Sequence, residues 1–167
     1  MLNKVLEQMK SVFGDDSRRI KHALDVLKCA SFLCDSEYPA GTEIKMTVEL
    51  AAVLHDIGIK QAEALYNSSA PAYQHLEGPP IARSILKKTG LAEETLERIC
   101  HIIGNHHLRS KIDGMDFQIL WEADLLVNLP DFPVLNRDFK TYKKMVVNNF
   151  KTGTGAQAAL DLYDRNS

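Results

Sequence analysis

The sequence lacks most of the features that would commit it to a membrane, a nucleic acid or a secreted disulfide scaffold. No apolar run approaches the roughly 18 residues that a membrane-spanning helix requires. The first residues, Met1-Leu2-Asn3-Lys4-Val5-Leu6-Glu7, do not follow the charged-then-apolar plan of a signal peptide. Cysteine is scarce: Cys29, Cys34 and Cys100 are the three in the chain. They lack metal-type spacing, and Cys29 and Cys34 lie five apart on one predicted helix, a poor geometry for a disulfide. Reduced, mostly buried thiols in a cytoplasmic protein are expected. A net charge of −2 gives no basic surface for nucleic acid or lipid. There is no strand-like alternation, internal repeat or low-complexity segment. Nor is there a Gly-x-Ser-x-Gly nucleophile motif, and Cys100 has no catalytic context. Thr152-Gly153-Thr154-Gly155 lacks the Lys-Ser/Thr of a phosphate-binding loop and reads as a turn and cap.

What remains is a chain of 167 residues, 45% hydrophobic and 25% charged, the profile of one globular domain over residues 1–167. Apolar residues recur at helical spacing almost throughout. Leu2, Val5, Leu6, Met9 and Phe13 form one stripe over 2–13, closed by Gly14. A second helix runs from about Arg18 to Asp35 after capping oxygens at Asp15–Ser17. Its buried stripe carries His22, Val26, Cys29, Ala30 and Leu33. After a loop at Tyr38–Thr42, with Thr42 as cap, a third helix runs from Glu43 to about Asp56 and stops at Gly58. Another turn or two follows over 60–66, then loop residues 67–71. Gly78-Pro79-Pro80 opens a helix through about Lys88, and His75 precedes its entry. Ala92–His107 and Phe117–Leu129 are helical, separated by a polar connection over 108–115. Helices over about 137–150 and 154–163 complete an all-α bundle of roughly seven to nine helices.

Five of these segments put an ionisable side chain on or beside a buried stripe: His22, the pair His55-Asp56, His75, His106 and Asp124. Singly, each has an ordinary explanation as a hydrogen-bonded core residue. Together they do not, because several unpaired polar groups in one small core would each cost roughly 1–3 kcal/mol. A shared divalent cation removes that cost. Neutral imidazoles and carboxylates are ligands for Zn, Mn, Fe or Co, and there are enough of them for two ions. Asp56, with two oxygens, can bridge.

At these residues the chain resembles the HD-domain superfamily of metal-dependent phosphohydrolases, whose order is His, His-Asp, then a distal Asp. The matching segments are Arg19-Ile20-Lys21-His22, Leu54-His55-Asp56-Ile57-Gly58 and Glu122-Ala123-Asp124-Leu125-Leu126. The chain is also similar to the two-metal branch, with His75 and Ile103-Gly104-Asn105-His106-His107 as the two additional His segments. The resemblance spans about residues 18–128, with the helices of 137–163 packed on that core. It implies one metal on His22, His55, Asp56 and Asp124, and another on Asp56, His75 and His106. His107 ligates or faces substrate; His101, five residues before His106, is read as structural or surface.

The activity so implied is hydrolysis of a nucleotide or another small phosphorylated molecule, with His55 and Asp56 as the catalytic pair. Two divalent cations (Fe, Mn, Co, Zn or Mg) about 3.5–4 Å apart would activate a water. The same ligand pattern also fits relatives that are di-iron oxygenases, and a non-catalytic metal- or nucleotide-binding module is a third reading. Candidate cations for substrate are Lys60, Arg83 and Arg109, with Lys87 and Lys111 beside them. Two departures from the family pattern are visible. Ile59 occupies the place three after Asp56 where many members have Lys, and no Gly-Tyr-Pro follows the double His, so cyclic di-GMP is not an expected substrate.

Overall fold

The structure, a computed structural model, describes residues 1–38, 43–136 and 138–166. The fold is all-α. Among the described residues the helices are α1 Leu2–Phe13, α2 Ser17–Glu37, α3 Glu43–Leu54, α4 Ile59–Tyr66, α5 Pro71–Leu86, α6 Glu93–Ile103, α7 Met115–Asn128, α8 Phe139–Asn149 and α9 Gly153–Asn166. Short 3-10 turns punctuate the connections at Lys87–Thr89, Arg109–Lys111, Leu129–Asp131 and Pro133–Asn136. No described helix is long and apolar enough to cross a membrane. Most of the loop expected at Tyr38–Thr42, its Thr42 cap included, lies outside the described residues.

The centre of the bundle is α3. Val48, Leu50, Ala51, Ala52, Val53 and Leu54 are all buried, so this helix has no solvent face over its last turn. A helix that is apolar all round has to be enclosed; α1, α2, α6 and α7 pack around it. On α2, Ala23, Val26, Ala30 and Leu33 are buried as the spacing requires, and Cys29 is half-buried. An Asp16 carboxylate accepting from Arg19 N–H at 3.1 Å caps its start. The α5–α6 hairpin closes one side of the bundle, with α4 laid on α5; α8 and α9 pair with each other, and α9 rests on α2 and α7. All three thiols are free, with Cys34 and Cys100 buried.

Two boundaries differ from the sequence expectation in a way that shapes the site. The helices expected to carry His55-Asp56 and His106 to their ends stop short, at Leu54 and Ile103. Tight i→i+3 turns follow each, closed by Ile57 N–H to Leu54 O at 3.0 Å and Asn105 N–H to Ile102 O at 3.1 Å. The third difference is α5, which starts at Pro71 rather than Gly78 and carries Pro79 and Pro80 in its interior. Proline removes a donor, but its fixed φ is helical. Here Pro71 supplies the start at the first helical position, and two missing N–H groups do not outweigh the packing of the helix. His75 is thereby inside α5, not before it.

That packing depends on glycine. A Cβ on Gly58 would stand 2.6 Å from the Gly78 nitrogen and 2.7 Å from the Gln74 oxygen. One on Gly78 would stand 2.9 Å from Ile103 Cγ2, and one on Gly104 3.0 Å from Pro79 Cγ. The turn after α3 therefore meets the middle of α5 backbone to backbone, and the turn after α6 meets it through the Ile103 and Pro79 side chains. Gly58 is not a helix terminator by conformation, having ordinary right-handed φ and ψ of −76° and −14°; it is a spacer.

Candidate metal centre

His22 from α2, His55 and Asp56 from the turn after α3, His75 from α5, His106 and His107 from the turn after α6, and Asp124 from α7 converge on one region. His22 Nε2 lies 3.1 Å from His55 Nε2 and 3.1 Å from Asp124 Oδ1. His55 Nε2 is 3.6 Å from the same Asp124 oxygen. Asp56 stands in the middle. Its Oδ2 is 3.4 Å from His55 Nε2 and 3.7 Å from His22 Nε2, while its Oδ1 is 3.5 Å from His106 Nε2. On the far side His75 Nε2 is 3.2 Å from His107 Nδ1, and the His106 and His107 rings lie with centroids 3.9 Å apart. Two sets of potential donors result, His22, His55 and Asp124 in one and His75, His106 and His107 in the other, the donor atoms of each within 4.8 Å of one another.

The two innermost imidazoles are held by the same device. His55 Nδ1 is 2.8 Å from Ala52 O, and His106 Nδ1 is 2.7 Å from Ile103 O. Each ring follows a helix end and bonds back to the carbonyl three residues before it. A carbonyl only accepts, so Nδ1 carries the hydrogen and Nε2 presents a lone pair inward. In the neutral ring this sets acceptor against acceptor, with His55 Nε2 facing the carboxylates of Asp56 and Asp124. Such a set is repulsive until a proton or a cation enters it.

The electrostatics of these side chains express that conflict. Burial by itself favours neutral His55, yet the Asp56 and Asp124 carboxylates outweigh it and raise its pKa to about 9. Burial likewise opposes ionisation of Asp56, but the imidazoles of His55 and His106 hold its carboxyl well below the usual range. Asp124 is lowered against its burial by the bond to His22 and the charge of His55. His107 is exposed as a residue, but its ring lies against His106. Loss of water and the neighbouring imidazole bring its pKa down to about 4. His106 Nε2 is buried with no hydrogen-bond partner. An inward donor atom left unpaired at such a cost, among carboxylates and imidazoles with no thiolate, is the chemistry of a site for a divalent cation.

The centre opens to solvent on one side. His55 and His106 side chains are 1% and 2% exposed, whereas those of His22, Asp56 and Asp124 are 21%, 18% and 22% exposed. Two cavities, each of about 360 Å³, reach it there. One is polar, with Arg18, Lys21, His22 and Asp56 in its wall. The other is lined by His106, His107, Trp121, Asp124, Leu125 and Phe132. Asn128 belongs to both, and its Nδ2 donates to Asp124 O and Oδ1, each at 2.9 Å.

The cations expected to meet substrate are placed elsewhere. Lys60 Nζ donates to Phe13 O at 2.8 Å and closes the end of α1. Arg83 makes a two-pronged pair with Glu97 across α5 and α6, and Arg109 donates to Asn148 O. None of the three lines either cavity. Arg18 does line the polar one and is exposed, with no ion-pair partner among the described residues, while Arg19 pairs with Glu63 and Asp16 and Lys21 with Asp25. A surface arginine at a helix start has no sequence pattern of its own, so Arg18 is not marked there as a candidate; four residues before His22, it shares that residue's helical face. His101 pairs with Asp113 at 3.3 Å at the surface, away from the centre.

No curated protein matches the chain. Among solved structures, a predicted HD superfamily hydrolase from an uncultured Thermotogales bacterium is similar in fold, with a TM-score of 0.69 and 22% identity over 98% of this chain and 86% of that one. The family model for the HD domain matches residues 19–131, the stretch that runs from the residue beside Arg18 through Asp124 to the turn after α7. The chain belongs to the HD domain family.

Proposed function

We propose that the protein is a metal-dependent phosphohydrolase acting on a nucleotide or another small phosphorylated molecule, with two divalent cations. The observation that carries this reading is the position of the Asp56 carboxylate, one oxygen toward His22 and His55 and the other toward His106. In this reading His22, His55, Asp56 and Asp124 hold one cation, and Asp56, His75 and His106 the other, with His107 a further ligand or a contact to substrate. When bound, the cations would lower the pKa of a water and neutralise charge on the phosphoryl oxygens.

The remaining work falls to the chain itself. Ala52 and Ile103 carbonyls fix the His55 and His106 rings, and Asn128 orients Asp124. Arg18, with no carboxylate to satisfy it, anchors the anionic group from the polar cavity, a role for which guanidinium is suited.

Metal analysis of protein purified without added metal, followed by a phosphomonoester and nucleotide panel with Mn, Fe, Co and Mg, tests the reading. Bound metal in wild type and its loss in Asp56→Ala, together with phosphate release that falls on the order of 10³-fold in that variant, is the expected result. Oxygen consumption with iron and no phosphate release, or full metal and activity in Asp56→Ala, would overturn it.

A further inference from the structure

The two cavities beside the centre differ in chemistry. The polar one holds Arg18, Arg19 and Lys21 together with Asp25, Asp56 and Asp131, and of these cations Arg18 has no ion-pair partner among the described residues. The other is walled by Trp121, Leu125 and Phe132, with the His106–His107 ring pair also in its lining. Phe132 is 42% exposed and Trp121 half-buried, so apolar ring surface faces water within reach of a charged centre. Such surface gains from being covered, and π-faces favour a planar partner in offset or edge-on contact. The volume of about 360 Å³ lies within the range of small-molecule sites.

We infer that the substrate is bipartite, and that the recess formed by Trp121, Leu125 and Phe132 takes the planar aromatic part of a phosphoester whose phosphate is held at the centre. A nucleobase or an aryl ring meets this description; a sugar or glycerol does not. The inference deepens the hydrolase reading and rests on it for the phosphate, while the aromatic recess stands on its own lining. Asn128, shared by both cavities and bonded to Asp124, marks where the two halves of the ligand join.

Trp121 is the one tryptophan of the chain, so its fluorescence reports this recess directly. The test titrates the intact protein, with and without Mg²⁺, with AMP, phenyl phosphate, octyl phosphate and glycerol 3-phosphate. Trp121 emission is followed together with calorimetric affinity, and phosphate release is assayed separately. AMP and phenyl phosphate should change the emission saturably and bind at least about tenfold more tightly than glycerol 3-phosphate, the scale of aromatic–base stacking. Phe132→Ala, at an exposed position where folding is not at stake, should weaken AMP about tenfold more than it weakens glycerol 3-phosphate.

Equal affinities for AMP and glycerol 3-phosphate, octyl phosphate binding as tightly as AMP, or equal weakening of both ligands by Phe132→Ala would overturn the inference. Its failure is separable from that of the hydrolase reading. AMP binding with the Trp121 signature but no phosphate release from any compound removes the hydrolase and leaves the recess. Phosphate release from AMP and glycerol 3-phosphate at equal kcat/KM, with no Trp121 response, removes the recess and leaves the hydrolase.

Discussion

Glu122 and Asp124 are two residues apart on α7, which turns them to different sides of the helix, and their surroundings are opposite in kind. Glu122 is fully buried and completely satisfied. It accepts from Gln118 Nε2 at 2.6 Å, from the backbone N–H groups of Lys151 and Thr152 at 2.6 and 3.1 Å, and from the Thr152 hydroxyl. A Cβ on Gly155 would clash with its Oε2, so the first turn of α9 is closed tightly over it. Asp124 has Asn128, His22 Nε2 at 3.1 Å, and the inward Nε2 of His55, which is itself an acceptor in the neutral ring. One carboxylate is a cap that ties the C-terminal helices to the bundle. The other is left with bonding capacity that only a proton or a cation can use.

This contrast yields the largest expected effects. Asp124→Asn should abolish stable metal binding and lower activity on the order of 10³-fold, about 4 kcal/mol in the transition state. The denaturation midpoint of the metal-free protein should fall less than in Glu122→Ala, because the attraction of His22 and His55 is lost but no backbone donor is orphaned. Glu122→Ala should do the reverse. Several buried N–H and O–H donors would be orphaned, costing about 3–5 kcal/mol of folding stability. Metal content per folded molecule should be unchanged. Denaturant unfolding and metal analysis on the two variants decide the matter; a destabilised Asp124→Asn protein that keeps its metal would break the comparison.

A second contrast lies between the side chains that face the centre and the glycines that let them approach. Gly58→Ala places a methyl group against the Gly78 backbone, and backbone cannot rotate away as a side chain would. Overpacking of this kind costs about 1–3 kcal/mol. Gly58 is two residues after Asp56 and Gly78 three after His75, so the strain should also separate the two ligand sets. Metal affinity should fall about 10- to 100-fold, as when the support of a ligand is disturbed. A Gly58→Ala protein with unchanged melting temperature and metal affinity would show that the backbone contact is not what positions the pair.

Much of this was legible in the sequence where a pattern is local. Helical spacing put Val26, Ala30 and Leu33 inside and set His22 on the same side. The polar residues that interrupted apolar stripes, His55, Asp56, His106 and Asp124, are those that converge. What was not legible depends on contacts distant in sequence. Glu122 carries no sign that its partners are 29 and 30 residues away. Gly58 reads as a helix stop, and its use as a spacer needs Gly78 opposite it. Pro79 and Pro80 read as a helix entry because local chemistry favours that, and tertiary packing overrode it. Trp121 carries no sign that it walls a cavity, since spacing cannot tell such a wall from an interior surface.

The smallest effects separate the two exposed cations nearest the motif, Arg18 and Lys60. Lys60 sits where sequence position alone suggested a phosphate anchor, one residue later than the place many family members use. Its ammonium is instead spent on the Phe13 carbonyl, at the negative end of the α1 dipole. Lys60→Met should cost under about 1 kcal/mol of stability and leave KM for phosphorylated substrates unchanged. Arg18 makes no such bond and lines the polar cavity. Arg18→Met should raise KM about tenfold, the loss of one charge-assisted hydrogen bond to an anion, with the melting temperature unmoved. Steady-state kinetics and thermal unfolding on the two variants give a crossed pattern if the assignment holds. A KM effect in Lys60→Met equal to that in Arg18→Met would return the anchor to the position that the sequence pattern first indicated.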